Sequence, residues 1–169
     1  MNITIRSEMP GDVDAIQRVT ELAFREAPHT DHTEQYIVNA LRESGQLSIS
    51  LVAELNGEIV AHVAISPVVV SESAENCYGL GPISVLPSHQ GKGIGSQLMV
   101  QVLADLKSRG AEACVLLGDP NYYSRFGFVS EGQLFLAGVP PEYFQVLSFS
   151  GRCPKGEVFY HDAFSATGE

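Results

Sequence analysis

The residues best suited to chemistry in this 169-residue chain form a glycine-rich turn between a predicted strand and a predicted helix. Gly91, Gly93 and Gly95 follow an apolar run that ends at Val85, and Lys92 adds a cation among them. The first turn of a helix leaves backbone N–H groups unpaired and carries partial positive charge, so it binds phosphate when no Cβ blocks the approach. The turn therefore predicts a binding site for a diphosphate group.

Two better-known phosphate-binding motifs do not match this turn. The nucleoside triphosphate loop requires Ser or Thr directly after its Lys, whereas Lys92 is followed by Gly93. The dinucleotide fingerprint requires a third Gly where this chain has Ser96, and it lies near the start of a parallel βαβ unit. Because the present turn follows a predicted hairpin, both motifs are excluded.

Hydrophobic periods and turn residues predict the elements that position this turn. Apolar residues alternate in strands and recur every three or four residues in helices, and Asn56-Gly57 between two β-branched runs indicates a hairpin. Gly79, Gly81 and Pro82 interrupt the third long strand and indicate a bulge or a splayed edge. The predicted order is strand 2–6, helix 13–23, helix 31–44, strands 48–55 and 58–70, strand 76–85, helix 94–106, strand 113–117, short helix 122–126, and strands 128–136, 146–149 and 158–164.

The turn resembles the acyl-coenzyme A pyrophosphate motif of the GNAT superfamily of N-acetyltransferases. Gln90, Gly93 and Gly95 match that motif, Gln-x-x-Gly-x-Gly, after a strand that ends at Val85. The order of elements over about residues 3–130 is also the family's order. The resemblance implies an α/β (α+β) fold with a mixed, mostly antiparallel central sheet, helices on both faces and a strand splayed at the coenzyme A site. We expect a single acetyltransferase domain over residues 1–169.

A second segment, residues 119–128, resembles the family's other signature. It contains Tyr123, three further residues and then Gly127-Phe128, in a Tyr-Tyr-x-Arg-Phe-Gly-Phe form most similar to the YhbS-like subgroup of bacterial acetyltransferases. The resemblance implies that Tyr123 is the general acid that protonates the departing thiolate. A phenol with a pKa near 10 is protonated at neutral pH, as this role requires. The alternative is that Tyr123 is a core aromatic residue, and Tyr122 is interpreted as packing.

The resemblance also implies which residues bind coenzyme A. In the family, free backbone groups of the strand before the turn hold the pantetheine arm and the acetyl carbonyl, and the turn holds the pyrophosphate. An unpaired strand edge offers directed N–H and C=O groups to an extended amide chain. The residues carried over in this way are Ile83, Ser84, Val85, Gln90, Gly91, Lys92, Gly93, Ile94, Gly95 and Ser96.

The general base and the acceptor site are less constrained by the sequence. Glu72, Glu75, His62 or a water molecule can each take the proton of the acceptor amine. The linker between the first two helices borders the acceptor site in the fold that the resemblance implies, and its acidity favours a cationic amine. Its candidate acceptor residues are His29, Asp31, His32 and Glu34. The same residues lack a cysteine partner and a clear distant ligand, so no metal site is predicted.

Charge and cysteine content limit the partners. The formal net charge of −10 argues against nucleic acid as a general partner. Residues 85–130 hold four basic and three acidic residues, net +1, whereas the rest holds six basic and seventeen acidic, net −11. This asymmetry favours a local anionic ligand. Three widely spaced cysteines and the lack of a long apolar run predict a cytoplasmic protein without disulfides, metal or membrane spans.

The leading functional hypothesis is an N-acetyltransferase that moves an acetyl group from acetyl-coenzyme A to a primary amine of a small molecule or a protein, by direct transfer in a ternary complex. The first alternative is a coenzyme A binding or sensing module without transfer activity. The second is an acyltransferase with a different acyl donor or an O-linked acceptor. Edge strands in residues 131–169 make a homodimer an open possibility.

Overall fold

A mixed sheet carries the candidate site, in a computed structural model that describes residues 2–27, 30–72 and 75–168. The strands are β1 (Ile3–Ser7), β2 (Ile49–Leu55), β3 (Glu58–Val70), β4 (Cys77–Val85), β5 (Ala113–Leu117), β6 (Leu134–Phe135), β7 (Phe144–Ser148) and β8 (Gly156–Tyr160). The helices are α1 (Val13–Phe24), α2 (Glu34–Glu43), α3 (Ile94–Ser108) and α4 (Pro120–Tyr123). The strand order is β1-β2-β3-β4-β5-β7, and β8 pairs with both β3 and β6. Most pairs are antiparallel, and β4–β5 and β6–β8 are parallel.

Both faces of the sheet are covered. Successive residues of a strand point to opposite faces, yet residues 49–53 of β2 and 59–66 of β3 are all buried. Helix α1 packs on β3, β4 and α2, and α3 crosses β1 to β4. Val19 of α1 and Leu98 of α3 are completely buried in the main core. Burying one such aliphatic side chain contributes about 1.5–3 kcal/mol, so the sheet and these helices hold each other in place.

The predicted hairpin at Asn56-Gly57 is confirmed. Strands β2 and β3 pair antiparallel with Leu55 opposite Glu58. Asn56 and Gly57 have positive φ angles of 53° and 79°, which is the conformation that a two-residue type I′ turn requires. The hairpin places β3 next to β4, the strand that precedes the glycine turn.

Strand β4 departs from its neighbours in its glycine-rich part. Val63 lies opposite Ile83 and Ile65 opposite Leu80, so β4 contains one extra residue in this interval and forms a bulge. On its other side β4 pairs with β5 only as far as Gly79. The remainder of β4 has no strand partner on that side within the described residues, so the predicted bulge and splayed edge are confirmed.

The second helix begins later than the sequence predicts. The predicted helix over 31–44 starts at Glu34 in the structure and ends at Glu43. His32 has a positive φ angle of 59°, which is incompatible with a right-handed helix. Its backbone N–H donates to Thr30 Oγ1 at 3.0 Å, which stabilises a turn in place of the first helical turn.

The predicted strand over 128–136 is wrong for most of its length. Only β6 is a regular strand there, and Val129 forms an isolated bridge to Val146. A turn at Gly132 separates the two, with the N–H of Leu134 donating to the carbonyl of Glu131 at 3.0 Å. Polar turn residues within the apolar run therefore break the strand.

The last strand also differs from its prediction over 158–164, because β8 ends at Tyr160. His161 Nδ1 accepts a hydrogen bond from the N–H of Ala163 at 3.0 Å and starts a 3-10 turn, Asp162–Ser165. This turn packs Ala163 against Leu41 of α2. Strand β8 pairs with β6 through Gly156 and Glu157 and with β3 through residues 158–160. A homodimer stays a prediction.

Candidate active site

The glycine turn leaves the N-terminus of α3 without a side-chain cap. Gly93 is the N-cap residue, with a φ angle of +81°, and no side chain of the described residues bonds to the first-turn N–H groups. The short helix α4 differs, since Asp119 Oδ1 accepts from the N–H of Asn121 at 2.9 Å. Gly91 also has a positive φ of 76°. Glycine is the residue that adopts this conformation without strain, so the turn keeps the α3 N–H groups available to an anion.

These N–H groups border a cavity of about 340 Å³. Seven of the ten predicted coenzyme A residues line it, together with three residues that were not predicted to do so. The lining comprises Val85, Gln90, Gly91, Gly93, Ile94, Gly95 and Ser96 from the prediction, and His89, Tyr122 and Arg125 in addition. Lys92 is exposed on the turn, whereas Ile83 and Ser84 lie further back on β4.

Gly95 differs from the other two glycines of the turn. Its φ angle is ordinary, and a Cβ built on it would lie 3.6 Å from Val85 Cγ2 and 3.7 Å from the Tyr122 hydroxyl oxygen. These are normal contact distances, so the fold itself tolerates a side-chain carbon there. The missing Cβ at Gly95 therefore clears space in the cavity and serves no backbone requirement.

The splayed part of β4 directs backbone groups of two predicted residues into the gap. The N–H of Leu86 donates to the carbonyl of Val60 at 2.9 Å, which fixes the alternation of the antiparallel β3–β4 pair. By this alternation the backbone groups of Ser84 face His62, and those of Ile83 and Val85 face away from β3. Gln90 Nε2 donates to the carbonyl of Val85 at 2.9 Å and ties the turn to the strand.

The two adjacent tyrosines of α4 occupy different surroundings. The Tyr122 hydroxyl lies 3.2 Å from Ser96 Oγ and lines the cavity. Tyr123 packs against the main core with its ring centroid 6.2 Å from that of Phe128. A Cβ on Gly118 would lie 2.3 Å from Tyr123 Cε2, so that glycine makes room for the ring.

Burial raises the pKa of Tyr123 to about 12, with smaller contributions from Tyr122 and Asp119. The phenol is therefore protonated throughout the physiological pH range, which is the state that a proton donor needs. No hydrogen-bond partner for its hydroxyl occurs in the described part of the chain. Tyr123 as general acid stays a prediction.

Arg125 is a cationic residue of the cavity wall that the motif did not identify. Its Nε donates to the carbonyl of Tyr122 at 2.9 Å, and its guanidinium lies 4.5 Å from the centroid of the Tyr122 ring. This stacking holds the charge next to the glycine turn. The signal that points to Arg125 is the charge asymmetry, because it belongs to the segment 85–130 with its net charge of +1.

A buried polar network lies on the other side of β4. His62 of β3 is completely buried, and its Nε2 lies 2.7 Å from Ser50 Oγ. Ser50 in turn donates to Glu8, whose carboxylate accepts two hydrogen bonds from Arg42 of α2, at 2.8 and 2.9 Å. Burial lowers the pKa of His62 to about 4, against the opposing effect of Glu8 and with a further lowering by Arg42. His62 is thus neutral at pH 7.

The carboxylate of Glu8 is held in its charged form by this network. Burial by itself would raise the pKa of Glu8, but hydrogen bonds from Arg42 and Ser50 outweigh it and lower the pKa. A carboxylate accepts hydrogen bonds and does not donate them, so the hydroxyl proton of Ser50 points to Glu8.

Comparison with known proteins identifies the family. The sequence profile of the acetyltransferase (GNAT) family matches residues 16–128, more than half of the chain. This chain belongs to the GNAT acetyltransferase family. Membership, predicted from two motifs, is confirmed, and so is the predicted fold class.

Relatives of this GNAT protein are similar over most of their length. The uncharacterized N-acetyltransferase YhbS of Escherichia coli strain K12 is 37% identical over 125 residues, which are 73% of this chain and 72% of YhbS. A GNAT family acetyltransferase from Brucella melitensis, solved in complex with acetyl-CoA, is 45% identical with a TM-score of 0.87, covering 96% of this chain and 98% of that one. The Escherichia coli YhbS structure in complex with CoA is 32% identical with a TM-score of 0.86, covering 99% and 94%.

Three of the four predicted acceptor residues of this GNAT protein, Asp31, His32 and Glu34, are described, and α2 begins at Glu34. His29 is outside the described residues. Asp31 and His32 are exposed, and Glu34 is half-buried with one carboxylate oxygen bonded to the Thr30 hydroxyl. The other oxygen, Oε1, is buried and has no partner within the described chain. None of these three described residues lines the glycine-turn cavity.

Two further candidates for the general base are Glu72 and Glu75. Glu72 and Glu75 are exposed in the connection from β3 to β4. Among the described residues, no group of three His, Cys, Asp or Glu side chains is arranged to hold a metal ion. No helix in the described ranges is long and apolar enough to span a membrane.

Proposed function

We propose that this GNAT protein transfers an acetyl group from acetyl-coenzyme A to a primary amine by direct attack in a ternary complex. The observation that carries the proposal is the uncapped N-terminus of α3, which opens into the cavity beside the splayed part of β4. Relatives solved with acetyl-CoA and with CoA support the same donor. The thioester supplies an activated acetyl group, and the residues of this chain position it.

The donor's phosphates are assigned to the glycine turn. Unpaired N–H groups and the positive end of α3 attract a diphosphate, and Gly95 leaves room for its approach. Arg125 and Lys92 add two positive charges at the wall and rim of this site. The ten residues carried over from the family motif remain the proposed set, with Arg125 added to it.

The extended arm of the donor is assigned to the open edge of β4. The backbone groups of Ile83 and Val85 face the gap toward β5 and are suited to pair with the amides of pantetheine. The N–H and C=O of Ser84 face His62 and are not available to the arm. We therefore assign the thioester to the middle of the splayed segment.

Three chemical steps then follow from the residues present. A neutral amine attacks the carbonyl carbon and loses one proton to a base or to water. The C–S bond breaks with its electron pair going to sulfur, the thiolate takes the phenolic proton of Tyr123, and Tyr123 recovers a proton from solvent. The raised pKa of about 12 keeps that proton on Tyr123 until the thiolate forms. Outside residues 85–130 the chain carries a net charge of −11, which favours a cationic amine as the acceptor.

A thiol-release assay tests this function. The protein is incubated with acetyl-coenzyme A and a panel of polyamines, aminoglycosides, amino acids and lysine peptides, while free thiol is followed. Release that depends on one class of amine supports transfer and names the acceptor. Tight donor binding without release above background on any amine supports a coenzyme A sensing module, and release with an alcohol or another acyl donor supports the remaining alternative.

Two matched substitutions separate chemistry from binding. Tyr123→Phe should lower kcat about 10-fold or more with little change in the Kd of acetyl-coenzyme A, since it removes only the proton donor. Tyr122→Phe should weaken donor binding and leave kcat nearly unchanged, because its hydroxyl lies beside Ser96 at the turn. An unchanged kcat in Tyr123→Phe would show that solvent or another group protonates the thiolate.

A further inference from the structure

Two buried polar residues lie opposite each other in the β3–β4 pair, and each has a side-chain atom without a partner in the described chain. His62 and Ser84 are directly opposite in the antiparallel register, and both are buried, with exposures of 0% and 2%. Neither His62 Nδ1 nor Ser84 Oγ has a hydrogen-bond partner within the described chain. Leaving a buried polar atom unpaired costs about 1–3 kcal/mol, so a pair of such atoms at one register position needs an explanation.

The network behind His62 fixes which ring nitrogen carries the proton. The Ser50 hydroxyl donates to the Glu8 carboxylate, so its oxygen accepts from His62 Nε2–H, 2.7 Å away. His62 Nδ1 is therefore a bare lone pair and a proton acceptor. Glu8 favours a positive charge on the ring, but burial and Arg42 outweigh it, so the ring rests neutral with this lone pair free. A carboxylate that orients a histidine in this way prepares the second nitrogen to act as a base.

Ser84 connects this nitrogen to the reaction site. It lies between Ile83 and Val85, whose backbone groups face the proposed binding edge for the thioester arm. Facing residues of an antiparallel pair have Cβ atoms about 5 Å apart, so a side-chain rotation of Ser84 or one bridging water molecule would connect Ser84 Oγ to His62 Nδ1. At the far end, Glu8 and Ser50 border an open cavity of about 440 Å³.

We propose that Ser84, His62, Ser50 and Glu8 form a proton relay that accepts the proton released by the acceptor nitrogen during acetyl transfer. Ser84 is the catalytic contact, and His62, Ser50 and Glu8 are positioning residues that act through it. The proposal rests on the proposed function of this same site and names its general base.

The step balances without a redox partner. As the amine nitrogen bonds to the carbonyl carbon, one N–H bond breaks and its proton goes to Ser84 Oγ. The Ser84 hydroxyl gives its own proton to His62 Nδ1, and the resulting imidazolium is stabilised by Glu8 through Ser50. After the amide leaves, the proton returns through Ser84 to solvent, and Tyr123 recovers its proton from solvent.

The kinetic test compares two buried serines on the same face of the sheet. With an acceptor found in the thiol-release assay, Ser84→Ala should lower kcat about 10- to 100-fold. The KM of the acceptor and the Kd of acetyl-coenzyme A should change less than about twofold, because backbone groups bind the donor. Ser66, also buried with an unpartnered hydroxyl, lies further along β3 and gives the control Ser66→Ala, which should keep the wild-type kcat.

Stability and a conservative variant separate catalysis from packing. Removing an unpartnered buried hydroxyl should leave the melting temperature of Ser84→Ala unchanged or higher. Ser84→Thr keeps the hydroxyl and should recover most of the lost kcat. A wild-type kcat in Ser84→Ala, or an equal loss in Ser66→Ala, overturns the relay while leaving acetyl transfer in place.

A measurement without substrate tests the His62 tautomer directly. In ¹⁵N-histidine-labelled protein at pH 7, the His62 signal, assigned by its disappearance in His62→Gln, should show a protonated Nε2 and a bare Nδ1. A proton on Nδ1, or a charged ring at pH 7, overturns the relay whatever the activity. A wild type that binds acetyl-coenzyme A but transfers to no amine refutes the proposed function and the relay together.

Discussion

Ser84 and Val85 are consecutive residues of β4 and lie on opposite sides of the strand. The two sides differ in whether their polar groups come from the backbone or from side chains. Val85 faces the glycine turn, where polar contacts come from the backbone and side chains are mostly exposed or missing. Ser84 faces a buried network in which Glu8, Arg42 and His62 supply charges and ring nitrogens. The turn side depends on the absence of side chains, and the network side depends on side chains being present.

This difference predicts opposite consequences of substitution. At the turn, polar groups are solvated when no ligand is bound. Removing one should therefore weaken ligand binding and hardly change the stability of the fold. In the network, polar groups are desolvated, so removing one partner leaves another unpaired and destabilises the fold. The experiments below compare the two sides, from the largest expected effect to the smallest.

The largest effect is expected from acid. The pKa of His62 is lowered from 6.5 to about 4 in the fold, so the unfolded chain binds this proton more readily. The stabilising contribution is present above pH 6.5 and is lost as the pH falls toward 4, by about 3 kcal/mol. His62→Gln should flatten the pH dependence of the unfolding free energy between pH 6.5 and 4.5.

Urea unfolding at several pH values measures this slope. The range from pH 6.5 to 4.5 excludes most of the effect of the carboxylates. Glu8 and Asp12 have lowered pKa values, so their contributions to the free energy of unfolding are lost only at lower pH. An equally steep pH dependence in His62→Gln would assign the acid sensitivity to other groups.

The next effect tests the ion pair that supports the network. Arg42→Met should destabilise the fold by about 2 kcal/mol, because it leaves the half-buried Glu8 carboxylate without its cation. Arg18→Met is the matched control, since the Arg18–Glu58 pair spans 3.6 Å with both side chains about 60% exposed. That control should change the unfolding free energy by less than about 0.5 kcal/mol. Equal effects of the two variants would contradict the contrast between buried and exposed sites.

On the turn side, Gly95→Ala should weaken acetyl-coenzyme A binding about 10-fold while leaving stability unchanged or slightly higher. The added Cβ meets no protein atom closer than 3.6 Å, and Ala is favoured over Gly in a helix by about 1 kcal/mol. Gly93 is less suitable, because its φ of +81° strains any other residue. Calorimetric titration measures the Kd, with Gly132→Ala as control, since its Cβ has no neighbour within 4 Å. An unchanged Kd of acetyl-coenzyme A in Gly95→Ala would contradict the assignment of the donor's phosphates to this position.

The smallest effect is expected at Lys92. Its side chain is exposed on the turn, so Lys92→Gln should raise the Kd of acetyl-coenzyme A by about two- to threefold at low salt and less at 0.5 M salt. Lys107→Gln, at the opposite end of α3, is the charge-matched control and should leave the Kd unchanged. A larger loss that persists at high salt would indicate a buried, direct contact in place of a screened one.

The elements predicted well are those with local signals. The hairpin at Asn56-Gly57, the bulge near Gly81 and the glycine turn each depend on residues that are adjacent in sequence, and each is found where the sequence predicts it. The predictions failed where a short polar interruption competes with an apolar run, as at Gly132 within the predicted strand 128–136. A turn of this kind is decided by contacts with distant strands such as β7.

The residues of the candidate site also fall into those with a local sequence signal and those that depend on distant contacts. Seven cavity residues could be predicted because one motif places them on one turn, whereas Arg125 lies some thirty residues away and reaches the wall through α4. His62 was one of several possible bases in the sequence. Its bare nitrogen becomes visible only with Ser50 and Glu8 in place, and these residues are 12 and 54 positions away along the chain.

The sequence by itself determined the family and the strand–turn–helix unit, because backbone conformation at glycine and the N-terminus of a helix are local properties. The tertiary structure decided which polar side chains share a desolvated space. Hydrogen bonds between Glu8, Ser50 and His62 depend on how β2 and β3 register with each other and how α2 packs on the sheet. No spacing within the chain encodes that register directly, so the proposed relay could be inferred only from the folded sheet.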